Sequence, residues 1–161
     1  MSDLETMPGH LIRRLQQISV ALFTHRMGEA EIDLTPVQFA ALVTLRQHPG
    51  IDQQTLAGMI AYDRVTIGGV VDRLVLKGLV LRETSPADRR ARVLALTDQG
   101  QDLLGEAAPL VERVQEDILG ALSAPEQATF VALLSRVTAS GNELSRAPLR
   151  RSKAAGYVVN S

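Results

Sequence analysis

Between Thr35 and Gly78 the chain opens three short amphipathic segments in quick succession, each with the same device. Thr35 stands as an N-cap, Pro36 occupies the first helical position and Gln38 completes a capping box, with Leu34 and Phe39 as a hydrophobic staple. Asp52 repeats the pattern with Ile51 and Leu56 as staple pair, and Asp63 with Tyr62 and Ile67. Pro49-Gly50 separates the first two segments. The spacing predicts helices over about 36–48, 53–60 and 64–77. The last two are almost contiguous, and so tight a junction forces a large angle between them, the geometry of a helix-turn-helix.

After Gly78, whose freedom at positive φ suits a helix stop, the apolar period changes. Leu79 to Glu83 reads as a strand, Ser85-Pro86-Ala87-Asp88 as a turn, and Arg90 to Leu96 as a second strand. The result is a hairpin with Arg89, Arg90 and Arg92 at its tip. Upstream, Leu4 to Arg26 carries a helical stripe of Leu11, Leu15, Ile18 and Leu22, ended by Gly28 and an acidic stretch. Downstream, Thr97 caps a long helix over about 98–120, and Ser123-Ala124-Pro125-Glu126 opens a last one to about Leu144. From Arg146 the chain is basic, contains Pro and Gly, and reads as a flexible tail.

Composition fits this plan. The chain is 45% hydrophobic but only 3% aromatic, without Trp, which suits helices packed on helices. With no cysteine, disulfides, thiol redox sensing, thiolate zinc sites and cysteine nucleophiles are excluded. The acidic start, Met1-Ser2-Asp3, is unlike a signal peptide, and no apolar run approaches the ~20 residues of a membrane span. A cytoplasmic protein is expected. The net charge of −1 conceals a polarised chain. Residues 63–92 hold seven basic and four acidic groups, whereas residues 93–145 hold two basic and eight acidic. One face suits phosphate and another faces away from it.

The order helix, helix, helix-turn-helix, hairpin, long helix, helix resembles the MarR family of bacterial regulators. The resemblance rests on Leu34-Thr35-Pro36-Val37-Gln38-Phe39, Asp63-Arg64-Val65-Thr66-Ile67, Val71-Asp72-Arg73-Leu74, Lys77-Gly78-Leu79-Val80, and Asp88-Arg89-Arg90-Ala91-Arg92 leading to Leu96-Thr97. None is specific alone; together, in order, they span roughly residues 10–145. The fold implied is mainly α with a two-stranded β wing, a winged helix-turn-helix with a helical dimerisation region. The resemblance implies a single domain over 1–145, with a DNA-binding lobe at about 36–97, dimerisation helices at about 4–27 and 98–145, and the basic tail at 146–161. It implies a recognition helix at 63–77, a wing at 80–96, and a homodimer. One departure is Gly68-Gly69, read as the middle of the recognition helix, where the family often carries polar or basic residues. The start Pro8-Gly9-His10-Leu11-Ile12-Arg13-Arg14-Leu15 also resembles the branch controlling nicotinate catabolism.

The candidate DNA contacts are Arg64, Thr66, Gly68, Arg73 and Lys77 on the recognition helix and Asp88, Arg89, Arg90 and Arg92 on the wing. A helix fits the major groove, its N-terminal amides favour phosphate, and an arginine can fork onto phosphate or guanine. Asp88 is placed to hold one arginine while another enters the minor groove. The plainer reading of each is an ordinary solvated charge. His10, Arg14 and Gln17 share one side of the first helix and could bind a carboxylate and a ring substituent, or merely make intersubunit hydrogen bonds. No cofactor, metal site or catalytic constellation is expected. The expected partners are double-stranded DNA, a second copy of the chain, and a small organic effector such as a hydroxynicotinate or related aromatic acid, with no membrane. The leading reading is a repressor released by its ligand. Against it stand a dimeric protein-interaction module that no longer binds DNA and, with no catalytic residues to support it, an enzyme acting on an aromatic acid.

Overall fold

The computed structural model describes residues 3–151. A short 3₁₀ turn, Leu4–Thr6, leads into α1 (Pro8–Glu29), α2 (Pro36–Gln47), α3 (Gln53–Met59), α4 (Ile67–Leu76), β1 (Val80–Thr84), β2 (Arg92–Leu96), α5 (Asp98–Ile118) and α6 (Ala124–Ser140). The predicted order of elements is the observed one.

The capping devices act as expected at two of the three helix starts. Thr35 Oγ1 accepts the Gln38 amide at 3.3 Å while Gln38 Oε1 accepts the Thr35 amide at 3.2 Å. Asp52 accepts the Thr55 amide at 2.8 Å, opening α3. Asp63 behaves differently. Its carboxylate accepts the Val65 amide at 2.7 Å, and its carbonyl accepts the amides of Thr66 and Ile67. Asp63 thus caps a tight first turn over 64–66, and regular α4 starts at Ile67, three residues later than predicted.

The helix stops were less legible. Gly28 does not end α1, which runs on to Glu29 and closes over Glu31 at φ 56°, with the Ile32 amide on the Met27 carbonyl at 2.9 Å. α3 closes in the same way over Ala61 at φ 51°, and α4 over Gly78 at φ 70°, as predicted. Each is a reversed last turn of the kind glycine accommodates best.

One core joins these elements. Phe23 and Met27 of α1, Leu42 and Leu45 of α2, Leu56 of α3 and Ile67, Val71 and Leu74 of α4 meet Leu94 of β2 and Leu104, Ala107 and Val114 of α5. The strands pair antiparallel from Val80 opposite Leu96 to Thr84 opposite Arg92. Ile51 bridges to Leu94, tying the α2–α3 loop to the base of the hairpin. The hairpin is also locked to α5. Thr97 Oγ1 donates to the Gly78 carbonyl at 2.6 Å and accepts the Gly100 amide at 2.9 Å. A β-carbon on Gly100 would sit 2.1 Å from the Leu79 carbonyl oxygen, so only glycine permits this approach.

α6 contributes no buried residue. Val131, Leu133 and Val137 are each at least half exposed, as are Leu4 and Ile12 near the start of the chain. After α6 the chain makes a second 3₁₀ turn, Asn142–Leu144. It then returns to α3, where the Arg150 amide donates to the Gly58 carbonyl at 2.7 Å. The first part of the expected flexible tail is thus docked; residues 152–161 lie outside the described residues.

Candidate nucleic-acid interface

α4 buries Ile67, Val70, Val71 and Leu74 and turns its other face outward. Just before it, Arg64, Val65 and Thr66 stand exposed on the turn built by Asp63, with Val65 90% exposed. The late start of α4 changes the meaning of Gly68-Gly69. They occupy the first turn of the helix, not its middle. A glycine there leaves that side of the first turn bare: nothing lies within 4 Å of a β-carbon built on Gly69. Gly68 lies closer to the protein, 3.4 Å from Gln53 Nε2 by the same measure.

Arg73 is exposed on the outer face. Lys77, beside it in sequence, is committed within the protein. Its ammonium donates to the Asp33 carbonyl at 2.6 Å and to Gln38 Oε1 at 3.3 Å, and pairs with the Asp33 carboxylate at 2.7 Å. Lys77 therefore pins the end of α4 to the entry of α2, and Gln38, 3% exposed, is satisfied by it. Sequence reasoning also passed over Asp72, which pairs with Arg82 of β1 and ties the outer face of α4 to the hairpin. Opposite charges ten residues apart across a helix–strand junction were the available signal.

The hairpin tip spans residues 85–91, longer than the predicted turn, with the Ser85 amide on the Ala91 carbonyl at 2.9 Å. Asp88 holds the tip through backbone: its carboxylate accepts the Arg90 amide at 2.9 Å. It makes no ion pair with an arginine among the described residues, so the expected Asp88 clamp takes a different form. Arg89 and Arg90 project from the tip, exposed, and Arg92 opens β2 with its guanidinium on Thr84 Oγ1 at 3.1 Å.

On α1, His10 and Gln17 are brought together by Arg13. Its guanidinium donates to Gln17 Oε1 at 3.2 Å and lies 3.4 Å from His10 Nδ1. Arg14, the predicted partner, is exposed beside this trio. The i, i+3 and i+7 spacing of His10, Arg13 and Gln17 would have revealed it. No group of three or more His, Cys, Asp or Glu side chains suited to a metal ion occurs among the described residues. None of the described helices is long and apolar enough to cross a membrane.

An outward helix with an arginine at its lead-in, beside an arginine-tipped hairpin, is a surface for duplex DNA. The comparisons with known proteins agree. The sequence model of the MarR family matches residues 34–91, which hold the helix-turn-helix, β1 and the hairpin tip. The HTH-type transcriptional repressor NicR of Pseudomonas putida is 33% identical over 135 residues, 84% of this chain and 84% of its own length. The chain belongs to the MarR family. Two solved structures of bacterial regulators superpose closely. The PcaV transcriptional regulator of Streptomyces coelicolor, in complex with its natural ligand, gives a TM-score of 0.79 at 37% identity, covering 88% of this chain and 98% of that one. BpsR of Bordetella bronchiseptica, whose DNA binding is regulated by 6-hydroxynicotinic acid, gives 0.80 at 30% identity, covering 86% and 97%. As a MarR protein the chain is a DNA-binding transcriptional regulator, and its described residues form six α-helices and a two-stranded wing.

Proposed function

We propose that this chain is a homodimeric repressor that leaves its operator when a small aromatic carboxylate, a hydroxynicotinate or close relative, binds. The observation that carries the reading is the exposed lead-in of α4 set beside the wing. Arg64, Thr66 and the first turn of α4 at Gly68-Gly69, open at Gly69, would meet the major groove and its phosphates, with Arg73 reaching the flanking backbone. Arg89, Arg90 and Arg92 would follow the minor groove, on a tip shaped by Asp88. Lys77 supports the reading helix from behind.

The exposed apolar residues of α1 and α6 are what a dimer stem needs. Two such stems would set the recognition helices about one DNA turn apart, suited to a pseudo-palindrome. Effector binding is assigned to the polar face of α1, where His10, Arg13, Arg14 and Gln17 offer a cation and hydrogen-bonding groups to a carboxylate and a ring substituent. Binding there would bias the stem toward a helix spacing that no longer fits adjacent grooves. A coupling of ~1–3 kcal/mol gives a ~5–150-fold change in affinity. The sensor is not thiol-based, because the chain has no cysteine.

The test is a co-crystal or a calorimetric titration with 6-hydroxynicotinate and related acids, on the natural chain and on Arg13→Ala and Arg14→Ala. Saturable binding lost in either variant supports the assignment. Binding unaffected by both removes the effector site from this face.

A further inference from the structure

The returning C-terminal segment places a second arginine at the lead-in of the recognition helix. Arg146 Nε lies 3.0 Å from Asp63 Oδ2 in an ion pair, while the other oxygen of the same carboxylate accepts the Val65 amide. The Arg146 side chain is 86% exposed. Most of its guanidinium therefore faces solvent, on the same pocket as exposed Arg64. A pocket of about 350 Å³ lies between the α3–α4 turn and the strap, lined among others by Asp63, Arg64, Val65, Arg146 and Arg150.

The segment is anchored at both ends. Asn142 accepts the Leu149 amide at 2.8 Å and donates to the Leu149 carbonyl at 3.2 Å, closing residues 142–149 into a loop. Arg150 forks onto Glu143, and that guanidinium, helped by Asn142, holds the Glu143 carboxyl below its ordinary range. The Arg150 amide bonds Gly58, and a β-carbon there would come within 3.1 Å of Arg150 Cβ. Even a methyl group at 58 would crowd the Arg150 side chain, and a larger side chain would push the strap off α3.

We infer that residues 142–151 form a strap that adds a phosphate contact to the DNA-binding surface, with Arg146 as the contacting group and Asp63 as its holder. Asp63 neutralises part of the charge and keeps the guanidinium beside the lead-in of α4. With Arg64 it makes a pair of cations at the point where a recognition helix meets the DNA backbone. This inference rests on the DNA-binding reading of α4 and the wing.

The experiment measures binding of the full chain to a duplex from the region upstream of its own coding sequence, at several salt concentrations. Natural chain, Arg146→Ala, Arg146→Lys and Gly58→Leu are compared, with melting checked for each. One lost phosphate contact lowers the slope of log K against log salt by about 0.9, so the advantage of the natural chain shrinks about threefold from 50 to 200 mM. Arg146→Ala is expected to show that loss and Arg146→Lys to restore the slope. Gly58→Leu, which displaces the strap but keeps Arg146, is expected to match Arg146→Ala. An unchanged slope in Arg146→Ala overturns the contact; so does an equal loss of affinity at every salt concentration, which would mean the strap only shapes the turn. Absence of salt-dependent binding by the natural chain would overturn the reading of the whole surface instead.

Discussion

α4 and α6 stand in opposite conditions. α4 buries four apolar side chains against its own chain and is tied by Lys77 to Asp33, by Asp72 to Arg82 and by the Gly78 stop to the wing. α6 buries none and leaves Val131, Leu133 and Val137 in the open. The recognition helix must hold one position to within hydrogen-bonding tolerance, and its packing is complete within a single chain. α6 is incomplete within the single chain, and in the proposed dimer a second copy would cover it. On that proposal a ligand at the stem would move two intact readers.

The largest expected effect breaks the contrast directly. Leu74→Ala should cost about 2–5 kcal/mol of stability, because the buried side chain leaves a cavity. Leu133→Asp should spare the core and instead weaken the dimer, seen as a melting temperature that depends more strongly on protein concentration. Equal, concentration-independent losses from both would show that α6 packs within its own chain.

Gly100→Ala should come next, at about 1–3 kcal/mol or more, since its methyl group meets the Leu79 carbonyl and pries α5 from the wing. Chemical denaturation reads the loss, and DNA affinity should fall with it because the wing loses its seat. Lys77→Ala should cost about 1 kcal/mol by releasing the end of α4. It should leave the salt slope of DNA binding unchanged, which separates a pinning lysine from a phosphate contact. The smallest effect should be a gain. Ala61→Gly relieves a left-handed residue at the end of α3 and should stabilise by about 0.5–1 kcal/mol by thermal melting.

What could be read before the structure follows the same division. Helix starts at Thr35 and Asp52 were legible because a capping residue has one local task. Asp63 caps the next turn, but Val65 and Thr66, poor helix formers, leave 64–66 a turn, so the regular helix begins later than its cap implied. Stops at Glu31 and Ala61 were hidden because neither residue advertises positive φ, while Gly78 does. The exposed arginines of the lead-in and wing were visible as charge. Their internal counterparts were not: Lys77 on Asp33 and Arg82 on Asp72 depend on elements meeting across 44 and 10 residues. The His10–Gln17 pair was visible by spacing, but its link, Arg13, was assigned to its neighbour.

The account's central claim is that a ligand on the stem controls DNA held by the reading lobe. It is tested most directly by a fluorescence anisotropy titration of the full chain against its upstream duplex, at fixed salt, with and without a panel of hydroxynicotinates and other aromatic acids. The account predicts nanomolar binding that one acid weakens at least fivefold, with Arg13→Ala or Arg14→Ala binding DNA normally but ignoring the acid. Binding that no acid changes, or an acid effect that survives both substitutions, would contradict it.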